Sequence, residues 1–297
     1  ARAAGERGLD AAPHEVRVAI LEDGEIVELL VERADARRIV GNVYKAKVTS
    51  VKPGLQAAFV DIGLEKAGFL HASDIQHGGD LGDVEDDEDE AAERRGRHDP
   101  VPDIADMVRV GDEILVQVTK EPISTKGPRL TADISLPGRY LVMMPKGRHV
   151  GVSRKIADRR ERVRLKQLLQ QNRPDKGAFI IRTAAEAASE DAVKHDVRYL
   201  TDLAARIAEN AKTAVAPSLV HEDVGMVVGL IRDIFKEDVQ ELIIDEGEDH
   251  QRLVNYARTF APELKGRIRL YKGDLPIFDH YDIETEIKKS LDKRVWL

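Results

Sequence analysis

The sequence predicts an α+β chain of several subdomains built around a small OB-type β-barrel, on three observations. Five short strand-like segments with turn signals between them fall at 43–52, 55–62, 67–70, 112–120 and 128–135. Beyond about residue 217, helix and strand patterns alternate, as in an α/β layer. Between the third and fourth barrel strands lies an acidic low-complexity segment, 77–106, whose density of charge marks a disordered or looped insertion. A long loop adds little closure entropy, so a barrel tolerates it, and the segment is expected to be dispensable for folding.

The elements follow in order. At 16–32, Val16, Val18 and Ile20 alternate up to Asp23-Gly24, a favoured two-residue hairpin turn, and Val27, Leu29 and Val31 alternate after it. Along 55–62, Ala58, Val60 and Ile62 share one strand face, and the other carries Leu55, Ala57 and Phe59. The Val/Ile face is the better core candidate, which turns Phe59 and, across the turn, Phe69 outward. Exposed aromatics on an OB sheet are platforms for unstacked bases; the alternative is that both are ordinary core phenylalanines. The turn at 125–128 joins the last two strands. Past residue 137 come a short apolar run at 141–143, a basic helix at 158–172 and a strand at 179–181 that ends at Arg182-Thr183. A long helix starts at Ser189, a good N-cap with Glu190 and Asp191 in its first turn, and runs to about Ala214. Helices at 224–235, 250–260 and 280–291 then alternate with strands at 240–245 and 266–271.

Composition narrows the function classes. The chain has 297 residues, 42 % apolar and 34 % charged, with no cysteine, which excludes disulfides, zinc–thiolate sites and thiol nucleophiles. No stretch approaches the roughly 20 apolar residues of a membrane-spanning helix, and no signal peptide is visible, so the expectation is a cytoplasmic protein. The chain begins at Ala1, which leaves room for an upstream start. The net charge of −8 is concentrated: residues 77–106 hold 12 acidic residues against three arginines, a local −9. From Pro137 to Thr183 the balance is 13 basic residues against three acidic, a local +10. That excess is a candidate polyanion surface, or else a solvated helix face.

Several segments resemble the bacterial ribonuclease E/G family: GNVYKAKVTSVKPGLQAAFVDIGLEKAGFLHASDI at 41–75, VGDEILVQVTKEPISTKGPRLTADISLPGRYLVMMP at 110–145, GVSRKI at 151–156, FIIRTAAEAAS at 179–189, ELIIDEGE at 241–248 and LYKGDLPIFDHYDIETEIKKSL at 270–291. They stand in the family's order and cover nearly all of the chain from Glu15 onward. The resemblance implies a nested arrangement. An N-terminal hairpin (1–41) and the last part (217–297) form a split ribonuclease-H-like layer around an OB-fold RNA-binding domain (42–136) and a sensor of the RNA 5′ end (137–216). It implies RNA contacts from Phe59, Phe69 and Lys126, which by itself reads as a surface lysine. It also implies a 5′-monophosphate pocket from Arg182, Thr183, Arg154 and Val142. Arginine offers a rigid donor fork for phosphate oxygens and threonine adds a hydroxyl, while Thr183-x-x-Glu186 equally fits a helix-capping box.

The implied activity is magnesium-dependent endonucleolytic cleavage of single-stranded RNA. The family's magnesium-holding aspartates belong to a DNase-I-like subdomain expected beyond Leu297. No family catalytic residue maps onto this chain, which is expected to be inactive alone. The carboxylates Asp245, Glu246, Glu248 and Asp249 cluster after a strand, but a solvated helix start accounts for them. The family also implies a homo-oligomer in full-length form. Two competing readings remain: a non-catalytic RNA-binding module, and a regulatory scaffold whose 77–106 segment recruits a basic partner.

Overall fold

A computed structural model of the chain describes residues 15–33, 39–75, 84–85, 102–223, 225, 228–229, 232, 239–260 and 262–290. The strands in chain order are β1 (Glu15–Glu22), β2 (Glu25–Arg33), β3 (Val43–Lys52), β4 (Ala57–Asp61), β5 (Gly68–His71), β6 (Val84–Glu85), β7 (Glu113–Lys120), β8 (Arg129–Thr131), β9 (Leu136–Pro137), β10 (Leu141–Met144), β11 (Val150–Ser153), β12 (Ala178–Ile181), β13 (Ser218–His221), β14 (Leu242–Ile244) and β15 (Ile268–Leu270). The helices are α1 (Ile104–Met107), α2 (Arg159–Asn172), α3 (Glu190–Thr213), α4 (Gly247–Phe260), α5 (Ile277–His280) and α6 (Ile283–Ser290). They fall into two compact units, one made of Ala1–Arg38, Gln240–Val254 and Gly266–Leu297, the other of Ile39–Val239 and Asn255–Lys265.

The first unit holds the hairpin β1–β2, the parallel pair β14–β15 and short helices. Asp23 and Gly24 both take positive φ, 51° and 87°, the conformation that a tight hairpin turn demands at both central positions. Within this unit Arg17 lies 4.7 Å over the Phe278 ring and pairs with Glu284 at 2.5 Å.

In the second unit, β3 is long and bent. Its first half pairs with β7 and its second half with β4, and β4–β5, β5–β8 and β8–β7 close the ring. That is a five-stranded barrel, with register breaks between Val48 and Ser50, where β3 passes from β7 to β4, and between Val118 and Lys120 on β7. Its core is the expected face, with Ala58, Val60, Ile62, Leu70, Val116, Val118 and Leu130 all buried. A second sheet, in the order β6-β11-β12-β10-β9, packs α2 and α3 against its inner face. Leu141, Met143, Phe179 and Ile181 from the strands meet Leu165, Leu169, Val193 and Leu200 from the helices. The Gln117 amide joins the two layers: it donates to Gly41 O (2.9 Å) and Ser135 O (3.0 Å) and accepts from Ser135 N (2.8 Å). Both the nitrogen and the oxygen of that buried amide are engaged, so the chain's entry to and exit from the barrel are fixed together.

Three expectations change. The boundary at 217 does not hold, because Ser218–His221 adds to the barrel sheet, pairing with Val43–Lys45. Four residues with one apolar position buried carry too weak a pattern to reveal that long-range pairing. Segments 42–136 and 137–216 also lie in the same compact unit. Finally, the acidic insertion 77–106 is shorter than its composition suggests. Most of it lies outside the described residues, but Val84–Glu85 pairs with β11 and residues 103–107 fold onto the barrel. Ile104 is fully buried in the barrel core, and the Asp103 carboxylate caps α1 through Ala105 N (2.9 Å) while accepting from the Gln56 amide (3.0 Å). One apolar side chain decides where the fold resumes. Much of the expected helix at 224–235 also lies outside the described residues, although 225, 228, 229 and 232 are helical.

Deleting 77–101 should leave cooperative urea unfolding intact. Deleting 77–106 removes Ile104 as well and should cost about 2–5 kcal/mol, the usual range for losing a large buried aliphatic side chain.

Candidate nucleic-acid interface

On the barrel, alternation along β4 and β5 sends Phe59 and Phe69 to the outer face, half-buried, opposite the core residues Ala58, Val60 and Leu70. They stand directly across from each other, and their rings meet edge to face at 6.0 Å between centroids. His71 continues the row, 6.5 Å from Phe69. On the next strand, Arg129 is in register with Phe69; its guanidinium pairs with Asp74 at 3.1 Å. Lys126 is exposed on the turn entering β8, where Ile123 and Lys126 exchange backbone hydrogen bonds. That turn is pressed against the loop before β5: a Cβ on Gly127 would stand 1.9 Å from Ala67 O, so only glycine fits. Lys66 Nζ donates to Ser124 O, and Phe69 N donates to Pro128 O at 2.8 Å. The three expected residues therefore share one edge of the barrel's outer face. Arg129 joins them without having been singled out in the sequence, where its strand is three residues long.

The second site forms at a strand end. β11 and β12 run parallel, with Val152 opposite Ile181. Arg154 and the Arg182-Thr183 pair therefore leave the same end of two neighbouring strands, the end at which parallel sheets commonly present ligand contacts. Arg154 is exposed in the turn that Ile156 N closes on Ser153 O (3.2 Å). Val142 is half-buried on β10, opposite Ile180. Thr183 opens a 3₁₀ turn, and among the described residues its hydroxyl makes no hydrogen bond. The long helix is capped instead by Ser189, whose Oγ accepts from Ala192 N at 3.2 Å. The capping-box alternative for Thr183 thus does not hold: Glu186 is not helical, and α3 begins only at Glu190.

Arg182 is held on both of its ends. Its backbone N donates to Tyr140 O (2.8 Å) and its Nη1 to Gly138 O (2.7 Å). The turn that supplies those carbonyls rests on Asp196, a carboxylate only 1 % exposed. Asp196 Oδ2 accepts from Tyr140 N and Leu141 N (2.9 Å each), and Oδ1 from Arg139 N at 3.3 Å. A Cβ on Gly138 would stand 2.5 Å from Asp196 Oδ2, so this turn requires glycine for close approach. Burial pushes the Asp196 carboxyl above its ordinary range, opposed by the three amide donors and by the Arg182 charge. Neither Gly138 nor Asp196 stood out in the sequence. The readable signal is a carboxylate on the buried stripe of a helix, among Val193, Val197 and Leu200.

The loop after Thr183 is clamped from α2. Glu161 Oε1 accepts from Ala187 N (3.0 Å), where the backbone takes φ 58°, and both Glu161 oxygens accept from Arg164 at 2.7 Å. Arg164 Nη2 also donates to Ala188 O at 3.0 Å. The Arg164 guanidinium, above all, holds the Glu161 carboxyl below its usual range.

Of the carboxylates at 245–249, Glu246, Glu248 and Asp249 have partners within their own helix start. Glu246 Oε1 accepts from Glu248 N (3.1 Å), and Asp249 pairs with Arg252 at 3.2 Å. Among the described residues no three His, Asp or Glu side chains converge to hold a metal ion.

Comparison with known proteins matches the chain in two parts. Residues 37–132 match the S1 RNA binding domain and residues 135–297 match the Ribonuclease E/G family. The chain is 41 % identical over 287 residues to Ribonuclease G of Haemophilus influenzae and 39 % identical over 289 residues to that of Escherichia coli. Either alignment takes in 97 % of this chain and 57 % of the relative. Ribonuclease E of Escherichia coli is 33 % identical over 290 residues, 95 % of this chain and 26 % of that protein. The chain therefore spans little more than half the length of the ribonuclease G relatives.

Asp196→Asn replaces one of the two accepting oxygens by an N–H₂ that then faces a backbone donor in the buried site, and should cost on the order of 3 kcal/mol in urea unfolding. Glu161 has its folded pKa below the unfolded value near 4.5, so its contribution is present above that pH and is lost as pH falls. Glu161→Gln should accordingly lower Tm at neutral pH and flatten the decline of Tm below about pH 4.5, as followed by circular dichroism.

Proposed function

This chain belongs to the ribonuclease E/G family, and on that premise we propose that it is the part of a single-strand endoribonuclease that grips RNA and reads its 5′ end. The observation that carries the reading is the common strand end. Arg154 and the Arg182-Thr183 pair leave that end together, Arg182 is tied to the turn braced by Asp196, and the Thr183 hydroxyl bonds no described residue. A terminal monophosphate offers oxygens that a guanidinium fork and a hydroxyl can engage together. A 5′-hydroxyl offers none, and a triphosphate is bulkier than a recess built for one phosphate. Tying Nη1 to Gly138 O fixes the plane of the fork, so little rotamer entropy remains to be lost on binding.

The barrel supplies the second grip. Phe59 and Phe69 present half-exposed rings at one edge, with Lys126 and Arg129 beside them for the backbone. Stacking requires unpaired bases, so the preferred ligand is single-stranded RNA. Cleavage itself is not assigned to any residue of this chain. Magnesium, the ion that the family resemblance implies, finds no ligand set among the described residues. The same resemblance supports a cytoplasmic setting, action in RNA processing and decay, and a homo-oligomer in the longer protein. No helix among the described residues is long and apolar enough to cross a membrane.

Binding is tested with otherwise identical oligonucleotides ending in 5′-monophosphate, triphosphate or hydroxyl, by fluorescence anisotropy. A charge-assisted contact contributes roughly 1.5–3 kcal/mol, so the monophosphate should be preferred about tenfold or more. Arg182→Ala and Thr183→Val should each remove most of that preference, and Arg182→Lys should restore part of it. EDTA should leave the preference unchanged, since none of these contacts uses a metal. Equal affinity for all three ends in the unaltered chain would overturn the reading. Independently, Phe59→Ala with Phe69→Ala should weaken binding of any single strand by on the order of 2–5 kcal/mol, with the fold intact by circular dichroism.

A further inference from the structure

Helix α2 carries an arrangement of charge that neither the barrel grip nor the phosphate pocket uses. Its sequence, RRERVRLKQLLQQN, holds five cations and a single acid. That acid, Glu161, is engaged by Arg164 and the Ala187 amide. Leu165, Leu168 and Leu169 bury one side, and Arg160, Val163, Arg164, Gln167, Gln170 and Gln171 are exposed at helical spacing. Just before the helix stand Lys155 and, at its first position, Arg159; past its end stand Lys176 and, on the adjoining turn, Arg148. The turn is brought there by Arg173, whose Nη1 donates to Arg148 O, and by Gly177 N on Gly147 O at 3.1 Å. Lys155, Arg159, Arg160, Arg148 and Lys176 are all exposed, and none forms an ion pair with a described residue. Of the acids nearby, Asp158 is taken up by the helix cap (2.8 Å to Arg160 N), and Asp175 is exposed at the far end.

Two physical points argue against an ordinary solvated face. Other helices place cations in i,i+3 or i,i+4 pairs, such as Glu190–Lys194, Glu209–Lys212 and Glu286–Lys289, whereas α2 pairs Arg164 with Glu161 in this way and leaves Arg159 and Arg160 without such a pair. Here Arg159 and Arg160 occupy the first helical turn, where the helix dipole disfavours positive charge. A sequence that breaks a local stability rule without a compensating partner is the pattern expected at a functional surface.

We propose that this face of α2 is a further RNA-contact surface, one that tracks the phosphodiester backbone of the nucleotides following the captured 5′ end. It rests on the 5′-phosphate reading above, because Arg154 of the pocket is followed directly by Lys155, and the Glu161–Arg164 clamp ties the helix's first turn to the loop after Thr183. The helix is about 21 Å long, so cations at its two ends span several nucleotides. Arginines and lysines meet phosphates and the glutamine amides meet phosphate or sugar oxygens, none of which reads sequence. The partner is thus a single-stranded RNA longer than a few nucleotides, in any sequence.

The test uses the full chain with Lys155→Ala, Arg159→Ala and Arg160→Ala combined, and separately with Gln167→Glu and Gln171→Glu. Neither set touches the pocket residues. The probes are a 5′-monophosphorylated single-stranded 12-mer, its 5′-hydroxyl twin and a 5′-monophosphorylated dinucleotide, each titrated across a range of KCl. Each phosphate no longer neutralised should flatten the slope of log K against log salt by about 0.7, so the triple variant should flatten it by about 2. Affinity for the 12-mer should fall about tenfold or more at low salt in both variants. The dinucleotide should bind as before, and the monophosphate-to-hydroxyl ratio should be unchanged. Tm of the triple variant should hold or rise, since cations leave a helix N-terminus. An unchanged slope and 12-mer affinity in both variants would overturn the proposal. If Tm then also fell, the cations would be serving the fold, for example by facing the chain's own acidic segment. A wild-type chain that ignores the 5′ end while the slope still drops would fail the pocket and leave the helix surface standing.

Discussion

The second sheet depends on one buried carboxylate. Asp196 gathers three consecutive amides of the turn before β10, and the turn in turn accepts the Arg182 guanidinium and backbone. Putting an ionisable group at 1 % exposure is costly, and three N–H donors with a nearby guanidinium are what make it tolerable. The result is a rigid corner where a flexible loop would otherwise stand. Val142 follows that corner directly, and Arg182 and Thr183 lie against it. On the proposed reading, a phosphate arriving there would meet donors already oriented, which is where affinity for a small anion is gained.

The barrel reaches a comparable end by different means. Among the described residues no buried charge is involved; the period of a β-strand divides its residues between two faces. Apolar β-branched and small residues fill the inside, and the phenylalanines are left outside at adjacent positions. Edge-to-face contact at 6.0 Å keeps both rings upright without covering their outer surfaces. The common end of β11 and β12 and the Phe59–Phe69 pair thus belong to one compact unit, in which the Gln117 amide ties Gly41 to Ser135, as the proposed engagement of both by one RNA strand requires.

Local rules made much of this legible in the sequence. Alternation at 55–62 placed Ala58, Val60 and Ile62 in the core and Leu55 and Phe59 outside it, although Ala57 of the outer row is itself fully buried; Asp23-Gly24 marked the hairpin, and Ser189 marked the helix start and left Thr183 out of the cap. What stayed hidden depends on contacts between distant residues. Ser218–His221 is a strand because Val43–Lys45 offers it an edge, and Val150–Ser153 is one because Phe179–Ile181 lies beside it. Ile104 looked like part of an acidic loop, since composition averages over a window and one buried side chain does not move the average. Gly138 and Asp196 are far apart in sequence, and their relation shows only in space, where a Cβ on Gly138 would stand 2.5 Å from Asp196 Oδ2. The resemblance of motifs points to Arg182; the geometry adds the braced turn to which its backbone and guanidinium are tied.

The most direct measurement of the central claim is a crystal structure of the chain with a 5′-monophosphorylated single-stranded oligonucleotide. The account predicts the terminal phosphate between the Arg182 guanidinium and the Thr183 hydroxyl, with the Asp196-braced turn unmoved and bases stacked on Phe59 or Phe69. A terminal phosphate bound elsewhere, with Arg182 and Thr183 making no contact to it, would contradict the account.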